Sequence, residues 1–259
     1  MQKIVSRNLI EVIALDFINL FWKPVEQKDF TKNFSMPHLI SLFIILLIVL
    51  IIYSFRETLR KPKYEKFYSN FIGIVLITHQ LSIYLWYITN ERLTLKEALP
   101  LYLCRISIIL SIIMLFTKSR KIFDVLYFWG IGGAATALIF HDTSIFPFPH
   151  YIFIQFFISH GGILISVLFM MFVHEYTPDI HSLKRTLKWT LVYFSVTIPT
   201  NYLIDANYCY LRYKPYASPL DYLPNNPIYF APFIITGMYL LFLLLYLPFI
   251  NIHYFRNQT

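Results

Sequence analysis

The chain has 259 residues, of which 57% are hydrophobic and only 14% carry a charge, a composition far more apolar than that of a soluble domain. Its net charge of +8 does not indicate nucleic-acid binding, because the basic residues cluster in short segments between apolar runs. The two cysteines form no CxxC or zinc pattern. We therefore predict a membrane protein that binds no nucleic acid, no metal and no cofactor.

Apolar runs of about 18 or more residues recur along the chain, and each can cross roughly 30 Å of hydrocarbon. They predict an all-α fold, a polytopic membrane helical bundle of about seven transmembrane helices with an N-terminal interfacial helix. Residues 1–36 are expected to form the amphipathic interfacial segment, and residues 37–259 a single transmembrane domain. In the first segment, Asn8 to Trp22 places these apolar residues at helical spacing: Ile10, Ile13, Ala14, Phe17 and Phe21.

The charges between the spans predict an orientation. The spans are expected from about Pro37 to Phe55, Phe67 to Ile88, Ala98 to Thr117, Ile122 to Phe140, His150 to Val173, Trp189 to Asp205 and Tyr229 to Ile250. Segments after the first, third and fifth spans hold about eleven Lys or Arg, and those after the second, fourth and sixth about four. In a cell membrane, the N-terminus would lie outside and the C-terminus in the cytoplasm.

Small residues recur in the fourth span, where Trp129 to Ala137 reads WGIGGAATA. Gly130 and Ala134, like Gly133 and Ala137, are four residues apart, a spacing that lets helix backbones approach closely. The segment lacks the strand and the lysine of a phosphate-binding loop, so it predicts helix packing.

A thiol lies on the polar side of the third span. Glu97, Cys104, Ser107 and Ser111 follow one another at steps of seven, three and four, which predicts one polar helical face. A thiol becomes a nucleophile as thiolate, which requires a nearby base or positive charge. The alternative from spacing alone is that Cys104 is a small buried hydrophobe and that Arg105 extends to the interface.

Two histidines fall in the middle of predicted spans, His79 in the second and His160 in the fifth. An ionisable residue inside a membrane is a candidate for function, and either could be the base for a thiol. The alternative is a neutral histidine hydrogen-bonded to a neighbouring helix. A metal site at His141, His150, His174 and His181 is not favoured, because no pair has i, i+4 spacing and they fall on opposite predicted sides.

Several motifs occur in a fixed order around these residues: LPLYLC at Leu99–Cys104, FWGIGGAATAL at Phe128–Leu138, His160, NYLIDANYCYLRYKP at Asn201–Pro215 and SPLDYLPNNPIYF at Ser218–Phe230. Together they resemble the YwaF-like bacterial integral membrane proteins, which are related to animal transmembrane protein 164. The resemblance covers about Glu97 to Phe230, roughly half of the chain.

The resemblance implies a helical fold shared with androgen-induced-gene-type membrane hydrolases, which act on lipid acyl esters, and a relative regarded as a phospholipid acyltransferase working through an acyl-cysteine. By position, it implies that Cys104 is the nucleophile and His160 its partner. We predict a cysteine-dependent lipid acyltransferase, or acyl-ester hydrolase, acting on a membrane phospholipid or other acyl lipid. Substrate contacts are assigned to Arg105, His79, Asn201, Tyr210 and Lys214.

Two other classes of function stay open from the sequence. A small transporter or flippase would use the sixth span, where Pro199 predicts a kink beside a polar seam. A membrane scaffold would present the aromatic connection from Asn207 to Pro227. Cys209 lies in this connection with no histidine near it in sequence, so it is a poorer nucleophile candidate than Cys104.

Overall fold

The computed structural model describes residues 9–24, 33–141, 146–214 and 219–256. These ranges contain helices and no strand, which confirms the all-α class. The helices are α1 Leu9–Trp22, α2 Met36–Ser54, α3 Arg56–Leu59, α4 Pro62–Thr89, α5 Leu95–Ala98, α6 Leu103–Thr117, α7 Arg120–Leu126, a π-helix Tyr127–Ala134, α8 Ala135–Ile139, α9 Tyr151–Val173, α10 Ile180–Leu203, the 3-10 helices Tyr208–Tyr210 and Pro219–Tyr222, and α11 Pro227–Arg256.

Within the described ranges, five helical segments are long and apolar enough to cross a membrane. They are α2, α4, α9, the continuous stretch Arg120–Ile139 and residues Pro227–Ile250 of α11. The two other predicted spans correspond to α6, which has only 15 residues, and to α10, whose first turns carry Lys184, Arg185 and Lys188. The multi-pass bundle is confirmed, and the count of seven stays a prediction.

The helix that carries Cys104 begins later than the sequence predicted. The backbone leaves helical geometry at Leu99, with φ −68° and ψ 132°, because a residue that precedes a proline disfavours the α conformation. α6 therefore starts at Leu103. Glu97 lies in α5, so the prediction that it shares a helical face with Cys104 is wrong, whereas Ser107 and Ser111 do follow Cys104 on one face of α6.

α10 begins at Ile180, nine residues before Trp189, so the predicted start of this helix at Trp189 is wrong. Asp179 caps the helix by accepting a hydrogen bond from Ser182 N at 2.7 Å, and Ser182 Oγ accepts one from Asp179 N at 3.1 Å. This reciprocal capping box satisfies two backbone donors that a helix start leaves unpaired. The basic residues expected in a loop therefore belong to the first turns of α10.

Glycines let α9 pack closely against three neighbours. A Cβ atom on Gly162 would lie 2.5 Å from Leu76 Cδ2 in α4, and one on Gly161 would lie 2.8 Å from Ile45 Cδ1 in α2. On the π-helix, a Cβ on Gly130 would lie 2.9 Å from Ile163 Cγ2, which confirms close packing at Gly130. Such contacts fix the position of α9 and of His160, which precedes Gly161.

The end of α1 packs on α4 and α9. Trp86 Nε1 donates to Trp22 O at 2.8 Å, Trp22 Nε1 donates to Thr89 Oγ1 at 3.0 Å, and the Trp22 and Tyr151 rings are 4.8 Å apart. Asn8 and the side chains of Ile10, Glu11, Ile13 and Ala14 lie outside the described residues. The amphipathic placement of α1 and the division into residues 1–36 and 37–259 therefore stay predictions.

Candidate active site

A cavity of about 770 Å³ lies between α4, α6, α9, the π-helix and α11. Cys104 lines it from α6 and His160 from α9, so the two residues predicted to be catalytic share one cavity. His79, Arg105 and Tyr210 line the same cavity. Its remaining walls are mostly aliphatic and aromatic side chains, as expected for a space that takes up hydrocarbon.

The ring of His160 is held by its own helix. Its Nδ1 lies 2.9 Å from Phe156 O and 3.1 Å from Ser159 Oγ, and the Ser159 hydroxyl itself donates to Phe156 O at 2.9 Å. Because a carbonyl oxygen can only accept, Nδ1 carries the proton and donates it. Nε2 is then the nitrogen with a free lone pair, the form that a general base requires.

His79 is held in the opposite tautomer. Its Nε2 lies 3.1 Å from Gln155 O and 3.0 Å from Gln155 Oε1, and since both are acceptors, Nε2 carries the proton. Nδ1 is buried and has no hydrogen-bond partner in the described part of the chain. The cavity wall thus contains two neutral imidazoles, each with one nitrogen fixed by the neighbouring backbone.

Arg105 lies inside the protein, with only 8% of its surface exposed. It donates to the Glu97 backbone oxygen and, at 2.7 Å, to Tyr87 Oη, and it lies 3.6 Å from the Glu97 carboxylate. Its guanidinium also lies 5.1 Å from the centre of the Tyr102 ring. These contacts fix a positive charge next to Cys104 in the chain.

Tyr87 and Tyr102 were not identified from the sequence, although both line the cavity. A signal for Tyr87 was present, because His79, Ile83 and Tyr87 follow one another at steps of four in α4 and so share a face. Tyr102 offered no such signal, because it lies in the non-helical connection before α6.

Cys209 also lines the cavity, which its sequence surroundings did not predict. Tyr193 Oη donates to Leu101 O at 2.7 Å and lies 3.1 Å from Cys209 Sγ. Because the tyrosine proton is directed to Leu101 O, the Cys209 thiol is the donor in the second contact and is protonated. The Cys209 thiol therefore has a hydrogen-bond partner within the protein.

Asn201 and Lys214 hold the connection after α10 and do not line the cavity. Asn201 Nδ2 donates to Tyr208 O at 3.1 Å, and Asn201 Oδ1 accepts from Tyr208 N at 2.7 Å. Lys214 Nζ donates to Leu223 O at 2.8 Å. Their substrate contacts stay predictions, and the geometry assigns them to folding the loop that carries Cys209 and Tyr210.

An ionic clamp fastens this connection to α5. The Asp205 carboxylate accepts a hydrogen bond from Lys96 Nζ at 2.5 Å and another from Arg212. The hydrogen bond from Lys96, and after it the one from Arg212, hold the pKa of Asp205 below its ordinary value. The clamp is therefore ionised at neutral pH, and it is lost only as the pH falls through this lowered pKa.

A second hollow of about 610 Å³ lies between α2, α4 and α9. Its lining is apolar apart from Ser41 and the backbone, and it includes Gly161 and Gly162 but none of the candidate site residues. Several lining side chains, such as Ile40 and Phe71, are more than half exposed, so this hollow faces the lipid. In the described ranges, no group of three or more His, Cys, Asp or Glu side chains is placed to hold a metal ion.

The fold and the cavity define a multi-pass α-helical membrane protein with a partly polar cavity inside its bundle. The chain matches the model of the TMEM164 family over residues 33–246, and it therefore belongs to the TMEM164 family. Searches of curated proteins and of solved structures returned no match. The matched region contains every candidate site residue, and the narrower YwaF-like assignment stays a prediction.

Proposed function

We propose that this protein is a membrane-embedded lipid acyltransferase that carries the acyl group of a phospholipid-type donor as a thioester on Cys104. The observation that supports this proposal is that Cys104 and His160, from two different helices, line one largely apolar cavity. The resemblance of the sequence motifs to cysteine-dependent acyltransferases supports the same pair of residues. A phospholipid is the natural donor because the protein spans the membrane that contains it.

In the first half-reaction, His160 Nε2 removes the proton from Cys104 Sγ as the sulfur attacks the ester carbonyl of the donor. The ester C–O bond then breaks, its electron pair stays on the leaving oxygen, and His160 returns the proton to that oxygen. The products are a lysolipid and an acyl-Cys104 thioester. In this proposal, Arg105 stabilises the negative oxygen that forms during the attack, or binds the phosphate of the donor.

Transfer to a lipid acceptor and hydrolysis by water share this chemistry. A site sealed from water would favour transfer. With the N-terminus outside, Cys104 lies near the outer end of α6, so the donor would enter from the outer leaflet.

The test is the intact mass of the purified protein after incubation with phosphatidylcholine vesicles. Wild type and Cys209→Ala, the matched control for a second cavity thiol, are expected to gain a hydroxylamine-sensitive acyl mass. Cys104→Ala is expected to gain none, and His160→Ala to gain it about 100-fold more slowly. An adduct that persists in Cys104→Ala, or disappears in Cys209→Ala, would overturn the assignment of the nucleophile.

The transporter and scaffold alternatives predict different outcomes. α10 stays helical through Pro199 to Leu203, and the kink and the polar seam on which the transporter alternative depends stay predictions. Lipid flux that survives Cys104→Ala, with no acyl adduct in wild type, would favour a transporter. Loss of partner capture on deletion of the Asn207 to Pro227 connection, with unchanged lipids, would favour a scaffold.

A further inference from the structure

We propose that His79 is a second base, which binds the hydroxyl group of the acyl acceptor and activates it for attack on the thioester. The proposal deepens the proposed function and rests on it, since it requires an acyl group on Cys104. It assigns the two half-reactions to two histidines, with His160 serving the thiol and His79 the acceptor.

The first observation is the fixed tautomer of His79. Gln155 O and Gln155 Oε1, at 3.1 and 3.0 Å, both accept from Nε2 and leave Nδ1 unprotonated. The side chain is 94% buried, since its exposed fraction is 6%, and it lines the cavity. Nδ1 is buried and has no partner in the described ranges, so its lone pair lacks the hydrogen bond that a buried imidazole normally makes.

The second observation is that two other residues lining the cavity carry unpartnered polar atoms. Both amide atoms of Gln80 and the hydroxyl of Ser107 are buried, line the cavity and lack a hydrogen-bond partner in the described part of the chain. Ser107 is 1% exposed and lies one turn beyond Cys104 on α6. Buried polar groups are normally paired, so these atoms leave hydrogen-bonding capacity that a polar ligand in the cavity would use.

The chemistry of these atoms selects a hydroxyl group. A hydroxyl can donate its proton to His79 Nδ1 and accept a hydrogen bond from Gln80 Nε2 or Ser107 Oγ at the same time. A hydrocarbon chain can do neither, and an ionised phosphate diester has no proton to offer to His79. The alcohol of a lysolipid and a water molecule both fit, and the experiment below separates them.

In the second half-reaction, His79 Nδ1 takes the hydroxyl proton as the acceptor oxygen forms a bond to the thioester carbonyl carbon. The C–S bond then breaks with its electron pair on Cys104 Sγ, and the proton passes from His79 to that sulfur. The products are a new ester and the free thiol, with His79 neutral again.

The experiment separates formation of the adduct from its loss. The full-length protein is loaded from vesicles of phosphatidylcholine with labelled acyl chains, freed of donor, and chased with lysophosphatidylcholine or with buffer in H₂¹⁸O. His79→Ala is expected to load within about threefold of the wild-type rate and to lose the label at least about tenfold more slowly. Imidazole added to the chase is expected to restore part of the rate, which it would not do for a merely structural residue.

Two further variants complete the design. Ser107→Ala removes a hydroxyl that has no partner in the described chain, so it is expected to fold normally and to slow the chase several-fold. His174→Asn is the control, because His174 pairs with Glu65 at 3.0 Å and does not line the cavity, and it should match wild type in both steps.

Each outcome decides between the two proposals. Slowing in the lysolipid chase assigns a lipid alcohol to His79, and slowing in the buffer chase alone assigns water. If His79→Ala loses the label at the wild-type rate, the inference is overturned and the thioester proposal stays intact. If His79→Ala folds but forms no adduct, the inference is likewise overturned and the thioester proposal stays intact. Absence of an adduct in wild type overturns the proposed function, and this inference with it.

Discussion

Arg105 is the residue whose surroundings make the sharpest prediction. Its planar guanidinium contacts the Glu97 backbone oxygen and Tyr87 Oη together, an arrangement that the single ammonium of lysine cannot reproduce. We expect Arg105→Lys to lower kcat/KM for a phosphatidylcholine donor about tenfold, a loss of about 1.4 kcal/mol of transition-state stabilisation. The measurement is the initial rate of lysolipid release at several donor concentrations.

Arg92→Lys is the control for this substitution. Arg92 lies 5.9 Å from the Trp86 ring and does not line the cavity, so we expect its replacement to leave the rate unchanged. Equal rates for Arg105→Lys and wild type would show that Arg105 only fastens α5 to α6.

Residues inside the apolar spans were the ones that the sequence could identify. Cys104, His79 and His160 stand out because a polar side chain within such a span is costly and therefore rare. Cys209 and Tyr102 could not be found in this way, because the fold of a connection, and not a helical period, brings them to the cavity.

At the scale of helices, Gly162 controls the distance between α9 and α4. A methyl group there would lie 2.5 Å from Leu76 Cδ2, and Leu76 is fully buried, so either Leu76 must change rotamer in a packed core or the helices must move apart. We expect Gly162→Ala to destabilise the protein by about 2 kcal/mol and to slow formation of the adduct by displacing His160. Thermal unfolding in detergent micelles measures the first effect and acyl loading the second.

Gly237 offers the matched control, since a Cβ atom there meets nothing within 4 Å. Gly237→Ala removes a glycine from the interior of α11 and should leave the melting temperature unchanged or raise it slightly. If Gly162→Ala has the same melting temperature as Gly237→Ala and forms the acyl adduct at the wild-type rate, the close contact does not position His160.

A buried carboxylate joins α7 to α10. Asp124, whose side chain is only 4% exposed, accepts from Arg120 at 3.1 Å, from Ser182 at 2.7 Å and from Arg185. Asp124→Asn retains the shape but loses the charge, and we expect it to cost about 2 kcal/mol because hydrogen bonds to a charged group are lost. The loss is no larger because Arg120 and Arg185 are each about one-third exposed, so solvent screens their attraction to the carboxylate.

The measurement is thermal unfolding in detergent, with Asp16→Asn, at an exposed position of α1, as a control on a different element. We expect the control to melt close to wild type. If Asp124→Asn has the same melting temperature as the control, solvent and lipid headgroups replace the carboxylate as hydrogen-bond partners of Arg120 and Arg185.

Helix existence was predictable from the apolar runs, whereas helix boundaries depended on local chemistry. Pro100 delays the start of α6, and the Asp179–Ser182 capping box advances the start of α10. The π-helix Tyr127–Ala134 could not be predicted, because its small residues suit α-helical packing equally well.

For the whole molecule, composition alone established the membrane class, and the order of the motifs pointed to the family that the comparison shows. The number of spans was harder to establish, because α6 is short and α10 is charged at its start, so neither is a simple apolar run. Contacts between helices could not be predicted from the sequence, because the polarity of a helix shows which face is buried but not which neighbouring helix buries it.

The orientation decides which leaflet supplies the cavity, and it can be measured. In a Cys104→Ala, Cys209→Ala background, we expect Tyr222→Cys, at a position 95% exposed before α11, to react with a membrane-impermeant maleimide on intact cells. Lys61→Cys, exposed between α3 and α4, should react only after permeabilisation, because the basic segment after the first span is predicted to be cytoplasmic. The reversed labelling pattern would place the Cys104 end of the cavity at the cytoplasmic leaflet, where newly made phospholipids would be its donors.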